Sequence, residues 1–257
     1  MKPLFPNRIL LSLFAILFAL LFTIPTSAES PNIKDIAGKT YTLVSKVRSS
    51  GGLRWQSCVK PIIVKHKGET FIYFAEEGKE CIAEEKYKTW ISSGYSYLNG
   101  MPYWIRVTVK DSEGKAIEEV EKFYDRENKK VICNVNGKIK EFELKENLFD
   151  KQNIVIFLMN YPFQEGRDLD FYLLTHDPTM YKINAKFRGK EKIMAGDNEI
   201  ECYKLEMLPD LGFLNFIRVF IPKTYFWFEA TPPHLFARYE GLESGIGTPY
   251  VVVEIVK

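Results

Sequence analysis

Tyr103-Trp104-Ile105-Arg106-Val107-Thr108-Val109-Lys110, followed by Asp111-Ser112-Glu113-Gly114, is the stretch that decides the fold. Neighbouring residues of a strand point to opposite faces, so Ile105, Val107 and Val109 make one apolar row and Trp104, Arg106 and Thr108 the other. The first row predicts a core-facing side, and the polar tetrapeptide predicts a turn into a second strand at Ala116 to Asp125. Arg126-Glu127-Asn128 turns the chain again into Lys130 to Val135. Asn136-Gly137 then supplies the two residues that best tolerate the positive φ of a type I′ hairpin, and Lys138 to Leu144 returns.

The same punctuation runs outward in both directions. Upstream, Tyr41 to Val47, Lys60 to Lys65 and Thr70 to Phe74 read as strands, with a turn at Lys67-Gly68. Downstream, strands are expected at Leu169 to Leu174, Tyr181 to Lys190, Glu199 to Leu208, Phe216 to Ile221, Tyr225 to Glu229, Leu235 to Tyr239 and Tyr250 to Val256, two of them joined by Gly196-Asp197-Asn198. Asn153 to Tyr161 breaks the pattern. Its apolar run, with Asp150 as N-cap and Pro162 as stop, predicts a short helix. The fold class that follows is mainly β: a curved antiparallel sheet or half-barrel meander with one or two short helices.

Residues 1–28 read as a secretory signal peptide. Lys2 and Arg8 form a basic start, Ile9 to Ile24 an apolar run, and Pro25-Thr26-Ser27-Ala28 a break with small residues at a cleavage site. The run is shorter than the roughly 20 residues that span a bilayer, so cleavage is favoured over anchoring. The expectation is a mature chain of residues 29–257, a single β-rich domain in the periplasm, with no transmembrane segment. The sequence holds 35 basic and 33 acidic residues. Loss of Lys2 and Arg8 with the leader leaves 33 of each, which argues against a nucleic-acid partner and against electrostatic docking on anionic lipid.

Cys58, Cys81, Cys133 and Cys202 are an even number in an exported chain, so disulfides are expected, with three pairings open. Cys58 with Cys81 is the first choice because both flank one hairpin, and Cys133 with Cys202 follows by elimination. Catalytic signatures are missing. His66, His176 and His234 are isolated from one another, so no local metal pair exists. Gly241-Leu242-Glu243-Ser244-Gly245 misses the spacing of a serine-hydrolase elbow, and Gly245-Ile246-Gly247 runs into Pro249 where a phosphate-binding helix would start. Asp168 and Asp170 share a strand face, the arrangement of ordinary solvated charge more than of paired acid and base. The expectation is a protein without enzymatic activity, metal or cofactor.

Aromatic density near the C terminus is the feature that chemistry has to explain. Tyr225-Phe226-Trp227-Phe228 has no polar alternation, so both faces of that strand need cover. Core packing is one reading. The sharper one takes Phe220, Tyr225, Phe226, Trp227 and Phe228 as the lining of an apolar pocket for a lipid or acyl chain. A second group, Trp90, Tyr95, Tyr97, Tyr103 and Trp104, has rings suited to an interface or a pocket mouth.

Residues 115–257 resemble the domain of unknown function 3108, a family of exported bacterial envelope proteins. The likeness is carried by Phe123-Tyr124-Asp125-Arg126-Glu127-Asn128, the apolar segment near Ile154 to Tyr161, Phe187-Arg188-Gly189-Lys190-Glu191-Lys192-Ile193, Glu201-Cys202-Tyr203-Lys204, Phe226-Trp227-Phe228 and Arg238-Tyr239-Glu240-Gly241. It implies a periplasmic β-rich protein with no assigned activity, and residues 29–114 with their cysteines depart from it. Three functions stay open: a carrier of an apolar ligand, an envelope scaffold or protein-interaction module, and a hydrolase using Asp168, Asp170 or His176.

Overall fold

The computed structural model describes residues 33–256 apart from 67, 82–86, 196–197, 214, 216–219 and 246. The expected leader, most of the expected strand at Phe216 to Ile221, and Lys67, Gly196 and Asp197 of two expected turns lie outside the described residues. A 3-10 turn at Ile33–Asp35 leads into β1 (Tyr41–Val47), β2 (Leu53–His66), β3 (Glu69–Glu80), β4 (Thr89–Tyr97), β5 (Pro102–Lys110), β6 (Ala116–Asp125), β7 (Lys130–Val135) and β8 (Lys138–Glu143). After β9 (Leu148–Asp150) comes helix α1 (Ile154–Leu158). Then follow β10 (Leu169–Leu174), β11 (Met180–Ala195), β12 (Asn198–Pro209), β13 (Thr224–Glu229), β14 (Phe236–Leu242) and β15 (Tyr250–Val256).

All fifteen strands form one sheet, ordered β8-β7-β6-β5-β4-β3-β2-β1-β15-β14-β13-β12-β11-β10-β9. Every pair is antiparallel except β9 with β10, which is parallel because α1 crosses between them. Laid flat, so many strands at 4.7–4.9 Å spacing would be about 65–70 Å wide. The two outermost strands, β8 and β9, are nevertheless consecutive in the chain, joined by residues 144–147, which reach at most about 18 Å. The connection therefore forces the sheet to curl until its edges approach.

The core follows from that curl. One set of buried side chains lies along β10 to β14, including Phe171, Ile183, Tyr203, Leu205, Met207, Phe226 and Phe228. A second set lies along β3 and β5 to β7, with Ile72, Phe74, Ile105, Val107, Tyr124, Val131 and Cys133. The β9–β10 edge serves both: Phe149 and Phe171 join the first set, Leu148 and Leu174 the second. Helix α1 continues this insert, and Phe157 stacks on Phe149 with ring centroids 3.4 Å apart. Gly100, at φ 83°, lets the helix approach, because a Cβ there would stand 2.5 Å from the Cα of Phe157.

Where the insert meets the wall, β6 and β9 are tied by charge. Lys122 Nζ donates to Asp150 Oδ2 at 2.8 Å and to the Thr175 carbonyl at 2.6 Å, and Tyr124 donates to the same Oδ2 at 2.6 Å. The two charged side chains are 1% and 0% exposed. Burial, reinforced by the Asp150 charge, pushes the Tyr124 phenol well above its usual pKa, so it stays a donor.

The apolar row Ile105 and Val107 faces the core as the alternation predicts, at 1% and 3% exposure. β1, β6, β7, β10 and β15 have the expected bounds. Three expectations need correction. Asp150 does not cap α1; that place falls to Asn153, whose side chain donates to Ser96 Oγ at 2.7 Å and to the Gly100 carbonyl at 2.9 Å. β4 was not among the expected strands, because Ser92-Ser93-Gly94 carries none of the β-branched or aromatic residues that mark one. It is a strand because its inward positions need small side chains: a Cβ on Gly94 would lie 2.8 Å from the Phe74 ring, and Ser92 and Ser96 are fully buried.

The disulfides are the third correction: Cys58, Cys81, Cys133 and Cys202 are all thiols. Cys58 stands opposite Glu77, so Cys81 lies four residues, about 13 Å, further along the ladder, beyond the 4.4–6.8 Å Cα separation of a disulfide. Cys133 and Cys202 belong to separate apolar clusters on different strands. Burial pushes the Cys133 thiol up to about 11, against the lowering effect of Lys122. Ellman's reagent should therefore label Cys58 in the native protein and reach Cys133 and Cys202 only after unfolding; fewer than four thiols in the denatured, unreduced chain would contradict the geometry. For the charged node, Lys122→Ala strands Asp150 and should be about 3–5 kcal/mol less stable in urea unfolding than Lys122→Met combined with Asp150→Leu, which buries no charge.

Candidate functional site

The aromatic strand expected to line a pocket is β13, and the sheet divides its side chains by parity. Phe226 and Phe228 point into the core, where they pack on Phe236 with centroids 6.3 and 6.1 Å away. Phe228 also meets Phe163, whose ring stacks on Tyr203 at 4.6 Å. Trp227 faces the other way into a small cluster with Ile193, Cys202 and Ala237, and Tyr225 packs beside it. The Trp227 indole donates to Glu191 Oε1 at 2.6 Å, and Lys204 Nζ lies 4.8 Å from the Trp227 ring and 4.5 Å from that of Tyr225. Burial alone would raise the Glu191 pKa, but the indole N–H and Lys204 outweigh it and hold the carboxyl below its usual value. Phe220 is separate again, 83% exposed between β12 and β13. The five residues thus line no common concavity, because strand alternation sends them to different faces.

A concavity does open one step away. It has a volume of about 290 Å³ and is lined by Lys39, Thr40, Tyr41, Glu229, Leu235, Phe236, Ile255 and Val256. The start of β1, the end of β15 and the β13–β14 turn build it, three pieces that the ladder places side by side. Phe236 connects it to the Phe226 and Phe228 rings, so the aromatic strand is its backing rather than its lining. The Tyr41 hydroxyl is buried and makes no hydrogen bond among the described residues, and burial, with the Glu229 charge second, raises its pKa. The turn that forms one wall contains the cis Pro232–Pro233 bond and His234 at φ 56°. His234 Nδ1 lies 3.0 Å from the Glu229 carbonyl, and its ring rests on Phe163 and Tyr203. Sequence reasoning missed Tyr41, Leu235 and Ile255, since nothing local marks three distant segments as neighbours.

The second aromatic group also splits. Trp90 meets Trp55 edge to face at 5.7 Å, and its ring covers Gly78, where a Cβ would lie 2.0 Å from it. Tyr95, Tyr97 and Tyr103 instead surround Phe71 at 5.0–6.3 Å, and Trp104 adjoins Tyr95. Arg126 lies 5.1 Å from the Tyr97 ring, with its Nε and one Nη buried and making no hydrogen bond among the described residues.

The groups considered for hydrolysis are not brought together. Asp168 pairs with Lys186 at 3.9 Å, Asp170 accepts from Asn184 at 2.9 Å, and His176 faces Glu118 at 3.1 Å. Asp168 precedes β10 and His176 follows it, so about 25 Å of strand separates them. Among the described residues no group of three or more His, Cys, Asp or Glu is arranged to hold a metal, and no helix is long and apolar enough to cross a membrane.

No family model matches this chain, and no curated protein does. Among solved structures, a β-barrel-like protein of the domain of unknown function 1849 from Brucella abortus is similar, with a TM-score of 0.53 and 10% identity over 85% of this chain and 94% of that one. A Bacteroides fragilis protein with a YmcC-like fold covers the same shares at 10% identity, with a TM-score of 0.32. At this identity the first likeness concerns the fold: this chain shares a barrel-like, curved β architecture with a protein of unassigned function.

Proposed function

We propose that this chain is an exported, non-catalytic protein of the bacterial envelope that holds an apolar ligand, a lipid or acyl chain, at the end of its curled sheet. The observation that carries the reading is the concavity walled by Leu235, Phe236 and Ile255. Apolar walls with one or two polar groups are the composition of small-molecule sites, and a volume near 290 Å³ suits one chain or the end of a larger lipid. Lys39 at the rim suits an acidic head group. The leader-like residues 1–28 and the resemblance of residues 115–257 to the domain of unknown function 3108 support placement in the periplasm.

A second reading, a protein-interaction module, is favoured by one observation: the tyrosines around Phe71 with Arg126 against the Tyr97 ring, residue types enriched at interface hot spots. The exposed edge speaks against strand addition, because β8 carries Lys138, Lys140, Glu141 and Glu143, charges that discourage edge pairing.

The carrier reading is tested with delipidated protein and cis-parinaric acid. Binding should raise probe fluorescence in the wild type and fall at least tenfold in Ile255→Trp, which fills the concavity, while Tyr95→Ala leaves it unchanged. No binding, or equal binding by the filled variant, would reject the site. N-terminal sequencing of the periplasmic fraction should begin at Glu29.

A further inference from the structure

The Lys122–Asp150 node has the geometry of a reaction as well as of an ion pair. Both side chains are almost wholly buried, and Nζ is 2.8 Å from Oδ2, so amine and carboxyl group are held in direct contact away from water. The Thr175 carbonyl at 2.6 Å orients the amine. The Gln152 backbone N–H donates to the other carboxyl oxygen, Oδ1, at 2.9 Å, and the Tyr124 hydroxyl donates to Oδ2 at 2.6 Å. Leu148, Leu174, Ile105 and Val131 are buried in the same apolar cluster as Tyr124. Burying an ion pair is costly, and an amine held against a carboxyl group is the nucleophile–electrophile pair of amide formation.

We propose that Lys122 and Asp150 condense after folding into an isopeptide bond, making the seam between β6 and β9 covalent. The neutral Nζ attacks Cγ of the Asp150 carboxylic acid, and the N–H of Gln152 supports the charge that develops on Oδ1. Tyr124 passes its proton to the departing Oδ2 hydroxyl and takes one from the nitrogen. The C–N bond forms, the Cγ–Oδ2 bond breaks, one water leaves, and no electrons change hands, so neither oxidant nor cofactor is required. The resulting amide keeps both partners, with its N–H facing the Thr175 carbonyl and its oxygen facing Gln152. The high pKa of Tyr124 suits a group that relays a proton without resting as phenolate.

Mass spectrometry of the purified full chain decides the matter. A tryptic digest should contain the Lys122 and Asp150 peptides joined, one water lighter than the two together, and trypsin should not cut after Lys122. Asp150→Asn, which offers the same carbon with ammonia as leaving group, should give the joined peptides one ammonia lighter. Lys122→Arg should give no link. Tyr124→Phe should accumulate the link several-fold more slowly than wild type, and an equal rate would overturn the relay. Separate, unmodified Lys122 and Asp150 peptides at full abundance from folded wild type would overturn the bond itself. Because the wild-type chain is the principal sample, failure of a variant to fold leaves the answer intact.

Discussion

The contact between β6 and β9 is the constraint on which the rest of the structure depends. A fifteen-stranded sheet has two edges, and here the chain joins those edges through residues 144–147, so the sheet must come round on itself. Lys122, Tyr124 and Asp150 secure the approach at the point where β9 leaves the edge and enters the interior. Removing two charges from water is unfavourable unless they are paired and hydrogen-bonded, and here the ammonium donates to Asp150 and the Thr175 carbonyl while the carboxylate also accepts from Tyr124 and the Gln152 N–H.

The inserted edge also determines where a ligand has room. β9, α1 and β10 occupy the space that an empty half-barrel would offer, dividing the core into one set of rings along β10 to β14 and another along β3 to β7. The aromatic strand β13 is absorbed into the first set. Among the described residues a concavity does form at the strand ends, where Tyr41 and Ile255 approach the β13–β14 turn.

Much of the fold was legible because it rests on short-range rules. Alternation in Tyr103 to Lys110, turn residues at Asp111 to Gly114 and at Asn136-Gly137, and the bounds of β6, β7 and β10 need only the period of a strand and the steric tolerance of a few residues. β4 was not legible, because Ser92, Gly94 and Ser96 are small to make room for Phe74 and their neighbours, and that reason lies on other strands. The cysteine pairing failed similarly: two thiols flanking one hairpin are near in sequence yet about 13 Å apart along the ladder.

By itself, the sequence determined a mainly β chain with antiparallel hairpins and a short apolar helix, since each of these depends on residues close together along the backbone. Tertiary structure alone decided that the open sheet curls until its β8 and β9 edges approach and that Phe226 and Phe228 are core while Trp227 faces away. It also decided that Lys122 meets Asp150 and that Tyr41, Phe236 and Ile255 surround one concavity. The physical reason is that register, twist and edge closure set distances between residues far apart in the chain, and no local pattern encodes those distances.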